Sequence, residues 1–421
     1  MTLHILYLHQ HYSSPAGSTA TRSHGLAQAL AARGHAATLA CGRYDGAESG
    51  LDGPFRRGRR EGRAGSIRVV EFDIACSNAM GLPARAAAFL RYAAAATRLA
   101  LTRRFDLIVA SSTPLTVALP ALAARALRDT PFVFEIRDPW PELPRAMGGV
   151  PGPLLGAMDR LATAACGRAA AVVALSDGMA ATAVARGAEP ERVHVLPNGC
   201  DLDLFGPHIA PWRPEQAGSQ ECVALYAGAH GRANGLGVLL DAAAILRAQG
   251  EARLRLVLVG DGSEKPALVA RARQEGLDNV TFLDPMPRAA IGALHAGSQI
   301  ALHLLANVPA FAEWTSPNKL MDGLAAGRPV VTNQPGRTAR IVESGPSGIA
   351  VQPGDPAALA AALRRLATNA ALRAAMGEAA RRQAEARWDR RLLATRFCAV
   401  VEAAARSPAG VPARLGGAAL P

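Results

Sequence analysis

The chain has few cysteines and no long apolar run. Its six cysteines are scattered and form no Cys-x-x-Cys pair. This pattern fits a reducing compartment better than a disulfide framework or a zinc site. Arg or Pro interrupts every apolar stretch before it reaches about 20 residues, so no membrane span is predicted. The N-terminus enters a short apolar strand without a basic leader, which predicts no signal peptide and a cytoplasmic location.

Motifs of nucleic-acid proteins and of common nucleotide-binding loops are also missing. No helix-turn-helix, zinc finger or aromatic-interleaved basic patch occurs, which argues against a nucleic-acid protein. The glycine-rich loops match neither G-x-G-x-x-G nor the Walker A pattern, which argues against dinucleotide and P-loop enzymes. The net charge is nevertheless +12, and the sequence pI is near 10.3. Either genome composition explains this charge, or the protein binds phosphate, as on a nucleotide or an anionic membrane.

The pattern of apolar segments predicts an α/β protein with two doubly wound, Rossmann-like domains. Half of the 421 residues are hydrophobic, and apolar strands alternate with helical stretches. The predicted domains are 1–205 and 221–405, with a proline-rich linker at 206–220 and a disordered tail at 406–421. Ligands bind such sheets at the carboxyl ends of strands, and we expect the two sheets to face each other across a cleft. Strands are predicted to begin at His4, His35, Ser66, Phe105, Phe132, Ala170, Arg192, Cys222, Arg253, Asn279, Gln299, Arg328 and Gly348.

The connection after the first predicted strand is a candidate phosphate loop. The segment "HYSSPAGSTATR", from His11 to Arg22, combines Gly17 with several hydroxyl side chains and ends on a cation at a predicted helix start. Backbone N–H groups and a helix N-terminus can bind a phosphate. Ordinary strand–helix connections have a similar composition, so both interpretations stay open.

The segment "FEIRDPWPELPRAMGG", from Phe134 to Gly149, ends another predicted strand with charged groups. Arg137 and Asp138 follow the strand directly, and Glu142 comes after two prolines and a tryptophan. Charged groups held in this way at a strand end indicate a rigid site wall. The alternative is a structural Arg–Asp pair beneath a packed tryptophan.

Two glycine-rich segments follow strands of the second predicted domain. The segment "YAGAHGRANGLGVLL", from Tyr226 to Leu240, contains four glycines, His230 and Arg232. Its backbone N–H groups and its cation can meet a diphosphate at the helix start. The segment "LVGDGSEKPAL" contains Gly260-Asp261-Gly262, which is equally typical of a binding loop and of a tight turn.

The segment "SPNKLMDGLAAGRPVV" predicts a short helix with an unusually bare face. Ser316 can cap the helix, and Pro317 suits the first helical position because its missing N–H has no partner there. Gly327 is predicted to end the helix. Lys319 and Asp322 share one face with small residues, while Leu320 and Leu324 point into the core. An anionic ligand can therefore lie near this helix start.

Two other patterns in the sequence have more than one interpretation. Asp201-x-Asp203, and the histidines His9 and His11, suggest a metal site, but neither set has further ligands nearby in sequence, so no metal is predicted. Arg91 and Arg98 fall on one face of a predicted helix. That face is either solvated or a contact for an anionic membrane.

Taken in order, these segments resemble a known family. "RSHGLAQALAARGH", "FEIRDPWPE", "LPNGCDLDLF", "YAGAHGRANGLGVLLDAA", "LVGDGSEKPAL", "NVTFLDPMPRAAI", "SPNKLMDGLAAGRPVV" and "GIAVQPGDPAALA" are similar to segments of the family 4 retaining glycosyltransferases of GT-B fold. "RDPWPE" and "SPNK" resemble the bacterial subgroup that builds O-antigen, capsule and exopolysaccharide. The resemblance extends from about Leu3 to Val400.

The resemblance implies that the second domain binds a nucleotide-sugar and the first receives an acceptor. It implies donor phosphate and sugar contacts for Ser316, Pro317, Asn318 and Lys319, and a ribose contact for Asp322. Arg137 and Asp138 match the segment that lines the transferred sugar, Gly17 matches a loop near the diphosphate, and Gly260, Asp261, Gly262 and Met286 match segments around the base. Together with the loop residues Gly228, Gly231 and Arg232, these form the expected donor site, in which Arg137, Asp138, Arg232 and Lys319 are the catalytic candidates. Arg22 and Glu142 are the acceptor-side candidates.

The sequence departs from the family pattern at two places. Many members carry two glutamates eight positions apart, where this chain has Trp314 and Asp322, with Glu313 one residue out of register. Many members also carry an Arg and a Lys where this chain has Ala229 and Asn234. The hypothesis is that Arg232 and Lys319 supply the missing positive charge.

The expected reaction is retaining transfer of a sugar from a nucleotide-sugar, first of all a UDP-sugar, to a lipid-linked saccharide. The family implies no cofactor and no metal. The location is expected to be cytoplasmic, with peripheral contact to the anionic inner-membrane surface. Two alternatives stay open. A nucleotide-sugar 2-epimerase of the same architecture needs carboxylates flanking the sugar, of which few are present. A non-catalytic nucleotide-sugar binding protein is the other.

Overall fold

The computed structural model describes residues 2–17, 22–77 and 79–406. Part of the predicted phosphate loop, 18–21, and almost all of the predicted disordered tail lie outside the described residues. Within the described residues, no helix combines the length and the apolar character that crossing a membrane requires. All six cysteines are buried as free thiols.

The first unit is built on an eight-stranded sheet in the order β3-β4-β2-β1-β5-β6-β7-β8. Its strands are parallel except for the pairing of β3 with β4. The chain order turns at the centre, because β1 lies between β2 and β5. Its elements are β1 (His4–Leu8), α1 (Arg22–Ala32), β2 (Ala36–Tyr44), β3 (Arg59–Ala64), β4 (Ile67–Cys76), α2 (Leu82–Thr102), β5 (Leu107–Ser111), α3 (Ala118–Arg128), β6 (Phe132–Ile136), α4 (Glu142–Met147), α5 (Gly152–Arg168), β7 (Ala171–Ala174), α6 (Asp177–Ala185) and β8 (Val193–Val195).

The second unit contains a six-stranded parallel sheet in the order β11-β10-β9-β12-β13-β14. Here the chain order turns at β9, which lies between β10 and β12. Its elements, followed by the C-terminal helix, are β9 (Cys222–Ala227), α7 (Gly237–Ala248), β10 (Leu254–Val259), α8 (Lys265–Gln274), β11 (Val280–Leu283), α9 (Arg288–Gly297), β12 (Ile300–His303), α10 (Asn318–Ala325), β13 (Val330–Thr332), α11 (Arg337–Ser344), β14 (Gly348–Ala350), α12 (Pro356–Thr368), α13 (Ala370–Gln383) and α14 (Arg390–Arg406).

The prediction of two doubly wound α/β domains is confirmed, and a strand lies at each predicted position. The central strands are buried on both faces, since neighbouring helices cover them, and they read as continuous apolar runs. The strand that the sequence did not predict is β3. Its residues "RREGRA" are mostly polar because it is an edge strand that pairs only with β4.

The structure divides the chain differently from the predicted boundaries. Residues up to Pro197 group with those from Leu393 onward, and Asn198–Leu392 form the second unit. The predicted linker 206–220 packs within the second unit, where the N–H of Trp212 donates to the carbonyl of Ala293 at 2.9 Å. The chain returns to the first unit because the apolar face of α14 is buried there. The ring centroids of Phe397 and Tyr7 lie 6.2 Å apart.

Candidate functional site

In the second unit, the loop after β9 lies at the point where the strand order turns. Ligands of doubly wound sheets bind at such points, beyond the carboxyl ends of the strands. α10 contributes Lys319, whose Nζ donates to Oδ1 of Asn234 at 2.8 Å. Nζ also lies 4.8 Å from the ring centroid of Tyr226, the distance of a cation–π contact. The stem of Lys319 crosses Gly228, where an added Cβ would overlap Cε of the lysine.

Burial sets the electrostatic character of this lysine. It lowers the pKa of Lys319 from 10.5 to about 8. Burial likewise lowers the pKa of His303 to about 3, with the Lys319 charge as a second cause, and that of His230 to about 4. At pH 7 both imidazoles are neutral and the ammonium is charged. No ring nitrogen of His230 or His303 has a hydrogen-bond partner among the described residues.

The second glycine segment lies against the first through backbone contacts. The N–H of His230 donates to the carbonyl of Asp261 at 2.8 Å. Gly260 has φ +139°, and an added Cβ would overlap the carbonyl oxygen of Gly228; Gly262 has φ +155°, and its Cβ would come within 2.6 Å of the His230 carbonyl. Lys265 donates to the carbonyls of Gly260 and Leu283 at 2.9 and 3.1 Å and ties the loop to β11. These glycines are therefore needed for the close approach of the two loops.

The start of α10 differs in detail from the prediction. Pro317 is the residue before the helix and Asn318 is its first residue. Ser316 does not cap the helix; its Oγ accepts from the N–H of Asn198 at 2.9 Å, and its carbonyl accepts from Nδ2 of the same residue at 2.7 Å. Gly327 follows the helix with φ +65°, as predicted. Leu320 and Leu324 are fully buried, which confirms that they face the core.

Asp322 and Lys319, which share a predicted helix face, bind different polar partners. Its carboxylate accepts two hydrogen bonds from the guanidinium of Arg288, each at 2.8 Å, and is buried. Arg288 also lies over the ring of Phe205, 4.8 Å from its centroid. A carboxylate has lone pairs beyond these two bonds, so the ribose contact stays a prediction and Arg288 becomes part of it.

The remaining predicted donor residues lie around the same loops. Gly231 immediately precedes the short turn Arg232–Asn234. The side chain of Arg232 is exposed and, among the described residues, has no ion pair. Met286 is partly buried between β11 and α9 and packs against the core beneath the sheet. Asn318 is partly buried at the first position of α10.

In the first unit, the equivalent position after β1 carries His9. Nε2 of His9 lies 2.7 Å from a terminal nitrogen of Arg137, and Nδ1 lies 2.7 Å from Oγ of Ser23. A guanidinium can only donate, so Nε2 must accept and Nδ1 carries the proton. Burial and the Arg137 charge hold the pKa of His9 well below its ordinary value. Arg137 and Asp138 have other partners and do not form the Arg–Asp pair that was the alternative interpretation.

Asp138 and Glu142 each have a polar partner in the first unit. Oδ2 of Asp138 accepts from the hydroxyl of Thr113 at 2.6 Å, and the aspartate remains partly exposed beyond β6. Glu142, an acceptor-side candidate, instead accepts from Nε of Arg186 at 2.6 Å. This carboxylate is 15% exposed and its Oε1 is bound to a guanidinium, while Oε2 has no hydrogen-bond partner among the described residues, so its acceptor-side role stays a prediction.

Arg22, the other acceptor-side candidate, is also bound within the first unit, and its acceptor-side role stays a prediction. Its Nε donates to Glu135 at 2.9 Å, and its two terminal nitrogens donate to the carbonyls of Pro197 and Leu196 at 2.7 and 2.9 Å. Burial alone would raise the pKa of Glu135, but Arg22 and Arg137 outweigh it and the net pKa is lowered. The guanidinium stabilises a buried carboxylate, and each of its three nitrogens donates one hydrogen bond within the first unit.

Gly17 and the two aspartates considered for a metal site, Asp201 and Asp203, have packing or ion-pair contacts. An added Cβ at Gly17 would overlap Oγ of Ser13, so the glycine allows the loop to fold on itself. Asp201 pairs with Arg390 at 3.3 Å, and Asp203 pairs with Arg391. Both carboxylates are thus engaged with cations.

Sequence reasoning did not identify Tyr226, Asn234, Arg288 or Glu135 as site residues. The sequence signal for Asn234 was its position in the loop after β9, where many members of the family that the sequence resembles carry a lysine. Tyr226 and Glu135 sit in apolar strands and carry no distinguishing local pattern. Their partners are distant in sequence: 85 residues separate Lys319 from Asn234, and 113 separate Arg22 from Glu135.

Comparison with known families gives matches for both units. Residues 17–199 match the family described as "Glycosyl transferase 4-like domain". Residues 221–369 match the family described as "Glycosyl transferases group 1". The first match begins after β1 and contains the other strands of the first sheet, and the second contains all six strands of the second sheet.

Individual proteins give consistent matches. A D-inositol 3-phosphate glycosyltransferase of Kribbella flavida is 31% identical over 205 residues, which are 46% of this chain and 47% of that protein. The chain thus spans about half the length of this curated relative. Sucrose-phosphate synthase of Thermosynechococcus elongatus superposes with a TM-score of 0.74 at 17% identity, over 94% of this chain and 97% of that one. HepE of Anabaena, solved with UDP and glucose, superposes with a TM-score of 0.65 at 20% identity, over 95% and 99%.

Proposed function

We propose that the chain, which matches a glycosyl transferase 4-like domain followed by glycosyl transferases group 1, transfers a sugar from a nucleotide-sugar with retention of configuration. The observation that carries this proposal is the charged Lys319, held beside the glycine loop where the strand order of the second sheet turns. The two matches support the resemblance to family 4. The polysaccharide subgroup stays a prediction.

The proposed chemistry depends on stabilising the leaving diphosphate. The transition state is oxocarbenium-like, and negative charge develops on the diphosphate as the glycosidic bond breaks. Lys319 and the free N–H groups at the start of α10 supply positive charge there, and a well-placed donor contributes about 3 kcal/mol. The leaving phosphate takes the proton of the acceptor hydroxyl on the same face of the sugar. Arg137 and Asp138 of the first unit are the proposed contacts to the transferred sugar.

The first test identifies the donor and the role of Lys319. A thermal-shift screen against nucleoside diphosphates and their sugars should show stabilisation, strongest with UDP compounds. Lys319→Ala should lower turnover on the order of 10²-fold. Arg273→Ala is a matched control, because Arg273 is an exposed cation at the far end of α8 from Lys265. Equal turnover in both variants would remove Lys319 from the reaction.

We further propose that the reaction needs no metal and no cofactor. The Asp201 and Asp203 carboxylates are paired with arginines, which supports this proposal. Turnover should be unchanged by EDTA followed by gel filtration, and restored activity on adding Mg²⁺ or Mn²⁺ would contradict it. Incubating the donor alone distinguishes the 2-epimerase alternative, because an epimerase converts its substrate without an acceptor.

The proposed acceptor is a lipid-linked saccharide at an anionic membrane surface. In the first unit, α2 exposes Arg91 and Leu90, and the segment before β3 adds Arg56 and Arg57 beside Arg98. Arg56, Arg57 and Arg98 line a recess of about 690 Å³. Such a surface attracts anionic lipid at about 1 kcal/mol per cation near the membrane. Sedimentation with anionic and neutral liposomes at low and high salt tests it: binding that ignores both lipid charge and salt would contradict the proposal.

A small phosphorylated acceptor is the second candidate. The observation that favours it is the name of the relative in Kribbella flavida, which acts on D-inositol 3-phosphate. Offering the enzyme inositol phosphate and a lipid-linked saccharide in parallel, with the donor found above, decides between them. Transfer to the free sugar phosphate would replace the lipid-linked acceptor.

A further inference from the structure

Asn234 is the residue that meets Lys319 from the glycine loop. It ends the short turn Arg232–Asn234, and Gly235 follows with φ +57°, a conformation that favours glycine. The amide is buried, at 8% exposure, so its polar atoms need partners within the protein. Because an ammonium can only donate, the atom facing Lys319 at 2.8 Å must be the carbonyl oxygen Oδ1, and the amide orientation is fixed.

The hydroxyl of Tyr226 holds the other side of this amide oxygen. It lies 2.9 Å from Oδ1 of Asn234 and 2.8 Å from the carbonyl oxygen of Ala229. The single hydroxyl proton is shared between these two acceptors. Tyr226 also presents its ring to the ammonium, so one strand residue fixes both the amide and the lysine.

Three sides of the ammonium are thereby defined. Gly228 lies under the stem, the Tyr226 ring lies at one side, and Oδ1 of Asn234 accepts one of the three N–H bonds. Among the described residues, Asn234 supplies the one acceptor that is hydrogen-bonded to this ammonium. Two N–H bonds therefore remain for anionic oxygens.

We propose that Asn234 is a positioning residue that aims the Lys319 ammonium at the diphosphate, so that the cation is supplied from α10 instead of from this loop. The proposal rests on the proposed function for the ligand, but the Asn234–Lys319 coupling itself does not. Asparagine suits this role because it accepts a hydrogen bond without neutralising the charge. A carboxylate at this position would pair with the ammonium, and a second lysine would repel it.

The coupling can be measured without turnover, because the whole sequence contains two lysines, Lys265 and Lys319. Protein labelled with ¹³C at lysine Cε gives two signals, and Lys319→Arg assigns them. The pH dependence of the Cε shift reports the pKa of each lysine. The other polar side chains facing Lys319 are Tyr226 on β9, His230 in the loop and His303 on β12. Both histidines are neutral at the pH values where Lys319 titrates.

The pKa of Lys319 should be lower in Asn234→Ala than in the wild type, and higher in Asn234→Asp. Removing the acceptor destabilises the protonated form, and adding a negative charge stabilises it, each by on the order of 0.5–1 pH unit. The signal of Lys265 is the internal control and should not move. Asn234→Asp preserves the volume of the side chain, so it answers the question even if Asn234→Ala does not fold. An unchanged Lys319 pKa in the folded variants overturns the proposal.

A second readout separates this inference from the proposed function. Adding UDP to the wild type should raise the pKa of Lys319. In Asn234→Asp, this UDP-induced rise in the pKa and the kcat should both fall, each about tenfold. If the Lys319 pKa follows the expected order but UDP has no effect, the positioning by Asn234 stands and the nucleotide function fails. If UDP shifts Lys319 equally in all variants, the function stands and the positioning role fails.

Discussion

At the scale of single residues, the charge of Lys319 depends on pH in the range where the enzyme would work. Its pKa is about 8 because the side chain is buried, so the free enzyme loses this charge as pH rises through 8. kcat/KM should therefore fall above pH 8, approaching tenfold per pH unit. A bound diphosphate stabilises the ammonium, so the corresponding fall in kcat should begin at a higher pH. Rate profiles between pH 6 and 10 measure both.

Lys319→Arg is the control for the fall in kcat/KM above pH 8. A guanidinium stays charged over the whole range, so the variant should lose the alkaline fall in kcat/KM even if its overall rate is lower. Persistence of the fall near pH 8 in this variant would assign it to another group.

Arg22 gives a second prediction at the residue scale. The guanidinium is the buried partner of Glu135, and removing one member of a buried ion pair leaves an uncompensated charge. Arg22→Met should lower the free energy of unfolding by about 3–5 kcal/mol. Urea unfolding measures this loss, with Arg91→Met as an exposed control. A variant with wild-type stability and a raised KM for the acceptor would contradict this role and support the acceptor-side one.

At the scale of elements, the two glycine loops depend on backbone contacts that leave no room for side chains. Gly262→Ala would bring its Cβ against the His230 backbone and would also strain φ at +155°. We expect weaker binding of the nucleotide by at least tenfold, because the loop beside Gly228 must shift. Isothermal titration with UDP measures it. Gly250→Ala is the control, since φ there is +69° but no atom lies within 4 Å of the added Cβ; an equal loss in both would point to backbone strain alone.

Most elements were predictable from the sequence because their burial leaves a local pattern. Central strands such as β5 and β10 are apolar over several residues, and α10 is bounded by Pro317 and Gly327. β3 was not predictable, because an edge strand exposed to water needs no apolar alternation. Ser316 matched the pattern of a helix cap, but its hydroxyl found a partner in Asn198, more than a hundred residues away in sequence.

At the scale of the whole molecule, the chain leaves its first unit at Pro197 and returns to it at Leu393. The returning helix buries Phe397 and Val401 in the core around Tyr7, and Glu402 accepts from Arg33 at 2.6 Å. A chain ending at residue 392 should therefore lose stability in the first unit while the second keeps its affinity for UDP. Limited proteolysis with mass spectrometry would show cleavage concentrated before residue 198. Cleavage confined to 198–392 would contradict the division into units.

The sequence by itself determined the two α/β sheets, the order of their strands along the chain, and the loops that carry glycines and cations. It could do so because apolar periodicity and turn residues act over a few positions. Only the tertiary structure decided which polar groups are paired: Lys319 with Asn234, Asp322 with Arg288, and Arg22 with Glu135. Those pairings join residues that are distant in sequence, and whether a charge faces a ligand or a buried partner depends on what the fold brings beside it.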